Sequence, residues 1–307
     1  MFGRKAAICR VPSRADDDHR LQFLRQPVER PHLDTLANTL RGDQRADWWP
    51  ATGLALATFG VIQLLALRIA QRDCQMSGQD IARLDQQISK NVDEIRKQLE
   101  RYRSAGLSLF ATSSFQTHSL PLLHVLSGWD CSLPIYFINT GYHFPETLAF
   151  RDQVARRLRL HVVDLCPMTP KNLQRDQRGL LYYASDPDQC CFMNKVQPLE
   201  PILSQKGVWI NGIRAEQSAN RRAMAVEEHT RQGALRYHPM LDWTEKMVLR
   251  YLNLYDLPSH PLDSAGYSSV GCEPCTRRVV GDGTRSGRWF GLNKTECGLH
   301  VDLVVTK

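Results

Sequence analysis

PIYFINTGYHFPETLAFRDQVARRLRLHVVDLC, residues 134–166, decides the fold. Its opening is rich in aromatic and β-branched side chains and meets a turn signal at Gly141, which predicts a strand over 134–141. Residues 144–160 then repeat apolar positions at helical spacing, with Pro145 in the first turn, where its missing N–H would have no helical partner anyway. HVVDLC, residues 161–166, returns as a strand. A helix of that length between two strands is the crossover of a parallel pair.

The same alternation extends in both directions. Upstream, LSLFATS at 107–113 reads as a strand and 120–126 as a helix; downstream, GVWING at 207–212 reads as a fourth strand. Before them, Ile81, Leu84, Ile88, Val92, Ile95, Leu99 and Tyr102 recur every three or four residues between charges, an amphipathic helix that Gly106 ends. The fold class is therefore α/β, a mostly parallel sheet flanked by helices. In such sheets ligands sit beyond the carboxyl ends of the strands.

Further on, DWTE at 242–245 reads as a capping box, with Asp242 as cap and Glu245 three residues on, ahead of a helix through KMVLRYLNLYDL. Pro258 and Pro261 stop that helix. The expected organisation is a nucleotide-binding domain over 76–258 and a loop-rich C-terminal segment over 259–307. Such a segment needs something to pin it, and a metal centre would do so. Residues 1–75 form an extension of a different character, Arg-rich with scattered Pro and Asp. Within it, Ala51 to Leu67 lacks charge, so 51–70 holds a candidate hydrophobic helix. Gly53, Thr58, Gly60 and Gln63 argue instead for an amphipathic or buried helix, or for a segment outside the working protein. Met76, followed by SGQDIARLD, is the expected functional start.

No secretory signal opens the chain, because Arg14, Asp16, Asp17 and Asp18 interrupt the apolar run that would follow a basic start. A cytoplasmic location is expected. In a reducing compartment, nine cysteines among 307 residues argue for metal or catalytic chemistry over a disulfide framework. The formal net charge of +7 suggests an anionic partner.

Chemistry concentrates in the cysteines. Cys190 and Cys191 are adjacent, and Cys272 and Cys275 form a CxxC turn; together they make a four-thiolate donor set suited to zinc or to a 4Fe-4S cluster, with spacing alone favouring zinc. Cys297 differs, because His300 follows it and Arg285 and Arg288 precede it, and cations lower a thiol's pKa. It is read either as a nucleophile or as a spare surface thiol. Cys9, Cys74, Cys131 and Cys166 are read as incidental. Lys195, Arg214, Arg221, Arg222, Arg285 and Arg288 flank the strand ends and cysteine loops, and arginines there suit phosphate or sulfate. SSFQTHS, opening with Ser113 and Ser114, ends the first strand and offers hydroxyls and amides to a phosphate.

These motifs occur in an order that resembles one family. SSFQTHSLPLLH, PIYFINTGYHFPETL, CCFMNKVQPL, WINGIRAEQSANR, HPMLDWTE, GYSSVGCEPCTR, RSGRW and ECGLH, spread over 76–300, are similar to the motifs of assimilatory adenylylsulfate (APS) reductases, the iron-sulfur branch of the APS/PAPS (3'-phosphoadenylylsulfate) reductase family. The resemblance implies an adenine nucleotide alpha hydrolase-like domain and reverses the zinc preference. It implies a 4Fe-4S cluster on Cys190, Cys191, Cys272 and Cys275, and Cys297 as the nucleophile that passes through an S-sulfocysteine. For the substrate it implies Ser113, Ser114, Lys195, Gly212, Arg285, Arg288 and His300, with Arg221 preferred to its neighbour Arg222. The complete quartet points to APS, and PAPS, or both nucleotides, is the alternative. Departures are Asn139, where the family often has Asp, and a nucleotide loop without glycine. The plant-type thioredoxin-like fusion is not found, so a separate donor, thioredoxin or a glutaredoxin-like dithiol, is expected. Neither nucleic acid nor membrane is expected as a partner, and a homo-oligomer is allowed. A zinc-stabilised nucleic-acid-binding module is the remote rival.

Overall fold

The computed structural model describes residues 77–278, 287–289, 291, 294 and 296–300. The extension over 1–75, with its hydrophobic stretch, lies outside the described residues. Helix α1 (Gly78–Ser104) starts where the Ser77 side chain accepts from the Asp80 amide, and ends through Gly106, whose φ of 73° is open to glycine. The Gly106 amide donates to Arg103 and the Leu107 amide to Tyr102, which satisfies carbonyls left over by the last turn. Its predicted stripe faces inward, with Ile88, Val92, Ile95, Leu99 and Tyr102 buried.

Next come β1 (Leu109–Thr112), α2 (Leu120–Trp129), β2 (Pro134–Ile138), α3 (Pro145–Leu158) and β3 (His161–Leu165). α4 (Pro187–Cys191), a π-helical turn (Phe192–Val196) and α5 (Gln197–Leu203) form one continuous helical run, followed by β4 (Val208–Asn211). β5 (Glu227–His229), β6 (Leu235–Tyr237) and α6 (Glu245–Leu254) complete the longer elements. Among the described residues the six strands form one sheet in the order β3-β2-β1-β4-β6-β5, parallel except for β5. The chain steps from β1 outward to β2 and β3, then crosses to the other side of β1 for β4. The strand ends therefore diverge between β1 and β4, and a crevice opens there.

One face of the sheet buries Ala111, Ile135 and Ile210 against α1, α2 and α6; the other packs Phe110 and Trp209 against Val196, Leu199 and Leu203 of the α4–α5 run. The four predicted strands and the helices between them are present. Two details differ. The β5–β6 hairpin was not foreseen: its strands are three residues each, and EEHTRQGALRY reads as polar because Arg236 is buried there against Glu228 and the Trp209 ring. The cap of α6 is Thr244, whose hydroxyl accepts from the Met247 amide; Asp242 is exposed and does not cap. Burial of Trp243 holds 240–243 in a turn, and the helix begins two residues later than Asp242 requires. Among the described residues no helix is long and apolar enough to cross a membrane.

Candidate active site

The crevice between β1 and β4 is a cavity of about 390 Å³. Ser113 and Ser114 line it from the loop after β1. Phe115 in that loop has a φ of 53°, strained for a bulky residue; its ring is fully buried against Phe137, and the Ser113 hydroxyl accepts from its amide. The buried aromatic anchor thus holds the hydroxyl-bearing loop in a conformation the backbone alone disfavours. From β4 come Asn211 and Gly212, and beyond them Arg214, buried beside His118. Burial, then the Arg214 charge, pushes His118 down to about 4, so its imidazole is neutral near pH 7.

Lys195 enters from the π-helical turn. Pro198 cannot donate to the Asn194 carbonyl and its ring crowds that group, so the helix widens where the two segments join. The turn also carries Asn194, whose side chain donates to the Cys190 carbonyl at 2.8 Å and to Gln174 at 2.6 Å. Lys195 Nζ lies 3.6 Å from Cys297 Sγ. Burial opposes the lysine's charge, but Cys272, Cys297 and Cys191 outweigh it and raise its pKa above the ordinary value.

The C-terminal segments complete the wall. Gly271, Cys272, Arg288 and Cys297 line the cavity. The CxxC turn is carried by the loop after β2, where the Glu273 amide donates to the Tyr142 carbonyl at 2.7 Å and the Thr140 hydroxyl lies 3.4 Å from Cys272 Sγ. Asn139, the departure from the family pattern, holds that loop: it donates to Asp164 at 3.0 Å and accepts from the Gly141 amide. Thr276 bridges to Arg288, and the Arg288 guanidinium lies over Gly271, where a Cβ would make that side chain shift. Cys297 is half-buried, and its pKa lies well below the usual thiol value. The Cys191 hydrogen bond is the first cause; burial opposes it, and Lys195, the Leu299 amide and Arg288 reinforce it.

Cys190, Cys191, Cys272 and Cys275 line a second, smaller pocket, which shares Lys195 and Cys272 with the large cavity. None is in a disulfide. Burial, then the neighbouring Cys272 and Cys275, pushes the Cys190 thiol up to about 11, and burial raises Cys275 as well. Among the described residues no three His, Cys, Asp or Glu side chains converge as a single-ion site does.

A family model described as the phosphoadenosine phosphosulfate reductase domain matches residues 108–278, a span that contains both cysteine pairs and the cavity's strand ends. The chain belongs to the APS/PAPS reductase family. It is 40% identical over 209 residues to a phosphoadenosine 5'-phosphosulfate reductase of Gloeobacter violaceus, covering 66% of this chain and 86% of that one. It is 38% identical over 205 residues to an adenosine 5'-phosphosulfate reductase of a Chelativorans species, covering 66% of this chain and 82% of that one. Among solved structures, a phosphoadenylyl-sulfate reductase from Candida auris shares the fold at a TM-score of 0.50 and 21% identity, covering 65% of this chain and 97% of that one. The fold the two share is α/β, and in this chain the sheet is parallel except for its edge strand β5.

Within this reductase-family chain, Ser113, Ser114, Lys195, Gly212, Arg221, Arg288 and Cys297 meet at one cavity. Arg221 is buried and faces it, whereas Arg222 on the same turn is exposed. Arg285 and the His300 side chain lie outside the described residues. Sequence reasoning passed over His118, Asn211 and Glu296. Asn211 is 4% exposed, lines the cavity and has neither amide atom hydrogen-bonded. A carboxamide closing an apolar strand, VWIN, was the available signal.

Proposed function

We propose that this protein reduces APS to sulfite and AMP in sulfate assimilation, in the cytoplasm, with electrons from thioredoxin or a glutaredoxin-like dithiol. One observation carries the reading: the Cys297 thiol lies 3.6 Å from the Lys195 ammonium, on the wall of the cavity that also holds Ser113 and Ser114. A thiol whose pKa is lowered by the Cys191 hydrogen bond and by the neighbouring cations, beside a space of nucleotide size, is a nucleophile facing an anionic substrate.

The Cys297 thiolate gives an electron pair to the sulfur of the substrate's sulfonate. A Cys–S bond forms, the S–O bond to phosphate breaks, AMP leaves with that bonding pair, and the enzyme is left with S-sulfocysteine. Lys195 and Arg288 line the same cavity as Cys297, and their role in this reading is to stabilise the charge that gathers on the departing phosphate and the sulfonate oxygens. A thiolate of the donor then attacks the Cys297 sulfur, sulfite departs with the bonding pair, and the donor's second thiol closes its disulfide and frees Cys297. The two electrons come from the dithiol.

Cys190, Cys191, Cys272 and Cys275 would hold a 4Fe-4S cluster. They fit it: four free thiols ring one pocket, burial disfavours the bare thiolates of Cys190, Cys191 and Cys275, and metal coordination removes that cost. Such a cluster would take one thiolate for each iron, so the four sulfurs would not have to converge on a point. When bound, the cluster would tie α4 to the CxxC turn and tune the field around Lys195.

Asn211 supplies a further contact to the nucleotide. Replacing it by leucine removes a donor and acceptor of nearly the same size, and KM for the nucleotide should rise about tenfold, the worth of one or two neutral hydrogen bonds. Steady-state kinetics checks this, and an unchanged KM would show that the amide never meets substrate.

PAPS is the second reading, favoured by the name of the Gloeobacter relative. Anaerobic purification, iron and sulfide analysis, and a thioredoxin-dependent sulfite assay with APS and PAPS in competition test both. Iron, sulfide and a preference for APS are expected. A preference for PAPS selects the second reading, and iron-free active protein removes the cluster.

A further inference from the structure

We propose that Glu296 is the positioning residue of the nucleophile: its carboxylate docks the Cys297 segment onto Arg221 and Ser218, and the thiol faces the cavity only while that dock is closed. The inference rests on the reading of Cys297 as nucleophile. Both ends of the pair are buried, the Arg221 side chain at 8% and that of Glu296 at 2% exposure. Arg221 grips the carboxylate with two prongs, Nε to one oxygen at 3.1 Å and Nη2 to the other at 2.9 Å. The Ser218 hydroxyl donates to the carboxylate at 2.9 Å. The Cys297 amide itself donates to Glu296 Oε1 at 3.0 Å, so the group that anchors the segment also orients the backbone of the reacting residue.

Arg221 is in turn fixed by Gln217, whose side-chain oxygen also accepts from the Arg214 amide at 3.0 Å. A chain of polar contacts thus runs from the loop after β4 to the backbone of Cys297. Glu296 holds the backbone amide of Cys297, so it acts through the placement of that residue. This arrangement also assigns Arg221 to the carboxylate instead of to the substrate's anionic groups. Because Cys297 is half-buried while docked, a protein donor must meet it undocked. The dock therefore favours the first half-reaction and opposes the second.

That opposition is the test. In Glu296→Gln, which keeps the shape but leaves Arg221 without its charge partner, AMP release in a single turnover with APS should fall about tenfold or more, since breaking one side of a buried pair is costly. KM should stay within about threefold, as expected when an interaction is absent from substrate binding. Sulfite release from S-sulfo enzyme by thioredoxin should quicken. Alkylation by iodoacetamide without substrate, followed at the Cys297 peptide by mass spectrometry, should accelerate. Ser218→Ala, which removes one contact and keeps the ion pair, should move each quantity the same way by a smaller factor, and it serves should Glu296→Gln fail to fold. A lower KM with an unchanged single-turnover rate would make Glu296 a competitor of substrate for Arg221 and overturn the proposal. Unchanged alkylation would overturn it too. Sulfite formation by Cys297→Ser, by contrast, would refute the nucleophile reading beneath it.

Discussion

Cys297→Ser is expected to lose sulfite formation by a factor of about 10⁴ or more, while its iron content stays that of the parent. A serine hydroxyl does not ionise near neutral pH, so the cations that favour a thiolate at this position have nothing comparable to stabilise. Lys195 at 3.6 Å and Arg288 are arranged for a negative sulfur. The quartet that lines the smaller pocket is complete without Cys297. The measurement is a thioredoxin-coupled sulfite assay beside the iron absorption of the same preparation. Loss of colour along with activity would make Cys297 a ligand and would require another nucleophile. Full retention of turnover would remove it from the chemistry.

Lys195→Ala should lower kcat by about 10²–10³, the usual loss when one preorganised charge-stabilising donor is taken from an active site. The same variant carries a pH signature. The lysine's charge is one of the causes that hold the Cys297 pKa down, so its removal must raise that pKa. The rising limb of Cys297 alkylation against pH should move to higher pH, and at a fixed neutral pH the thiolate fraction should fall. An unmoved limb would assign the thiolate to the Cys191 hydrogen bond, the Leu299 amide and Arg288. Lys195→Arg keeps the charge at a different reach and should recover part of the rate but not all of it, since a planar fork does not replace a compact ammonium.

The parallel sheet was legible because each of its central strands is an apolar run bounded by turn residues, and because α3 fills the gap between β2 and β3 with a helical repeat. Local pattern could not reveal the β5–β6 hairpin. Arg236 belongs in a buried strand only because Trp209 and Glu228, distant in sequence, wait there for its guanidinium. The cap of α6 failed for a similar reason: Asp242 and Thr244 both carry capping side chains, and burial of Trp243 chose between them.

At the site, cysteines announce themselves by type and spacing, so Cys190, Cys191, Cys272, Cys275 and Cys297 stand out in the sequence as candidates. Glu296 and Asn211 do not. A glutamate beside a cysteine reads as a solvated charge until Arg221, 75 residues earlier, is seen gripping it. Asn211 offers only the weak signal of a carboxamide closing the apolar run VWIN, and the cavity on which that strand end opens is made by the fold.

The widened turn at 192–196 has a consequence for how this sequence tolerates insertion and loss. An ordinary α-helix advances about 100° per residue, so excising a single amino acid from FMNKV would swing α4, and both its thiols, roughly a quarter of a revolution about the axis relative to α5. The proline at 198 thereby fixes a phase relation. Cysteine pair and ammonium stay on speaking terms across the wall they share, and chain length in this stretch is as tightly constrained as the identity of any side chain on it.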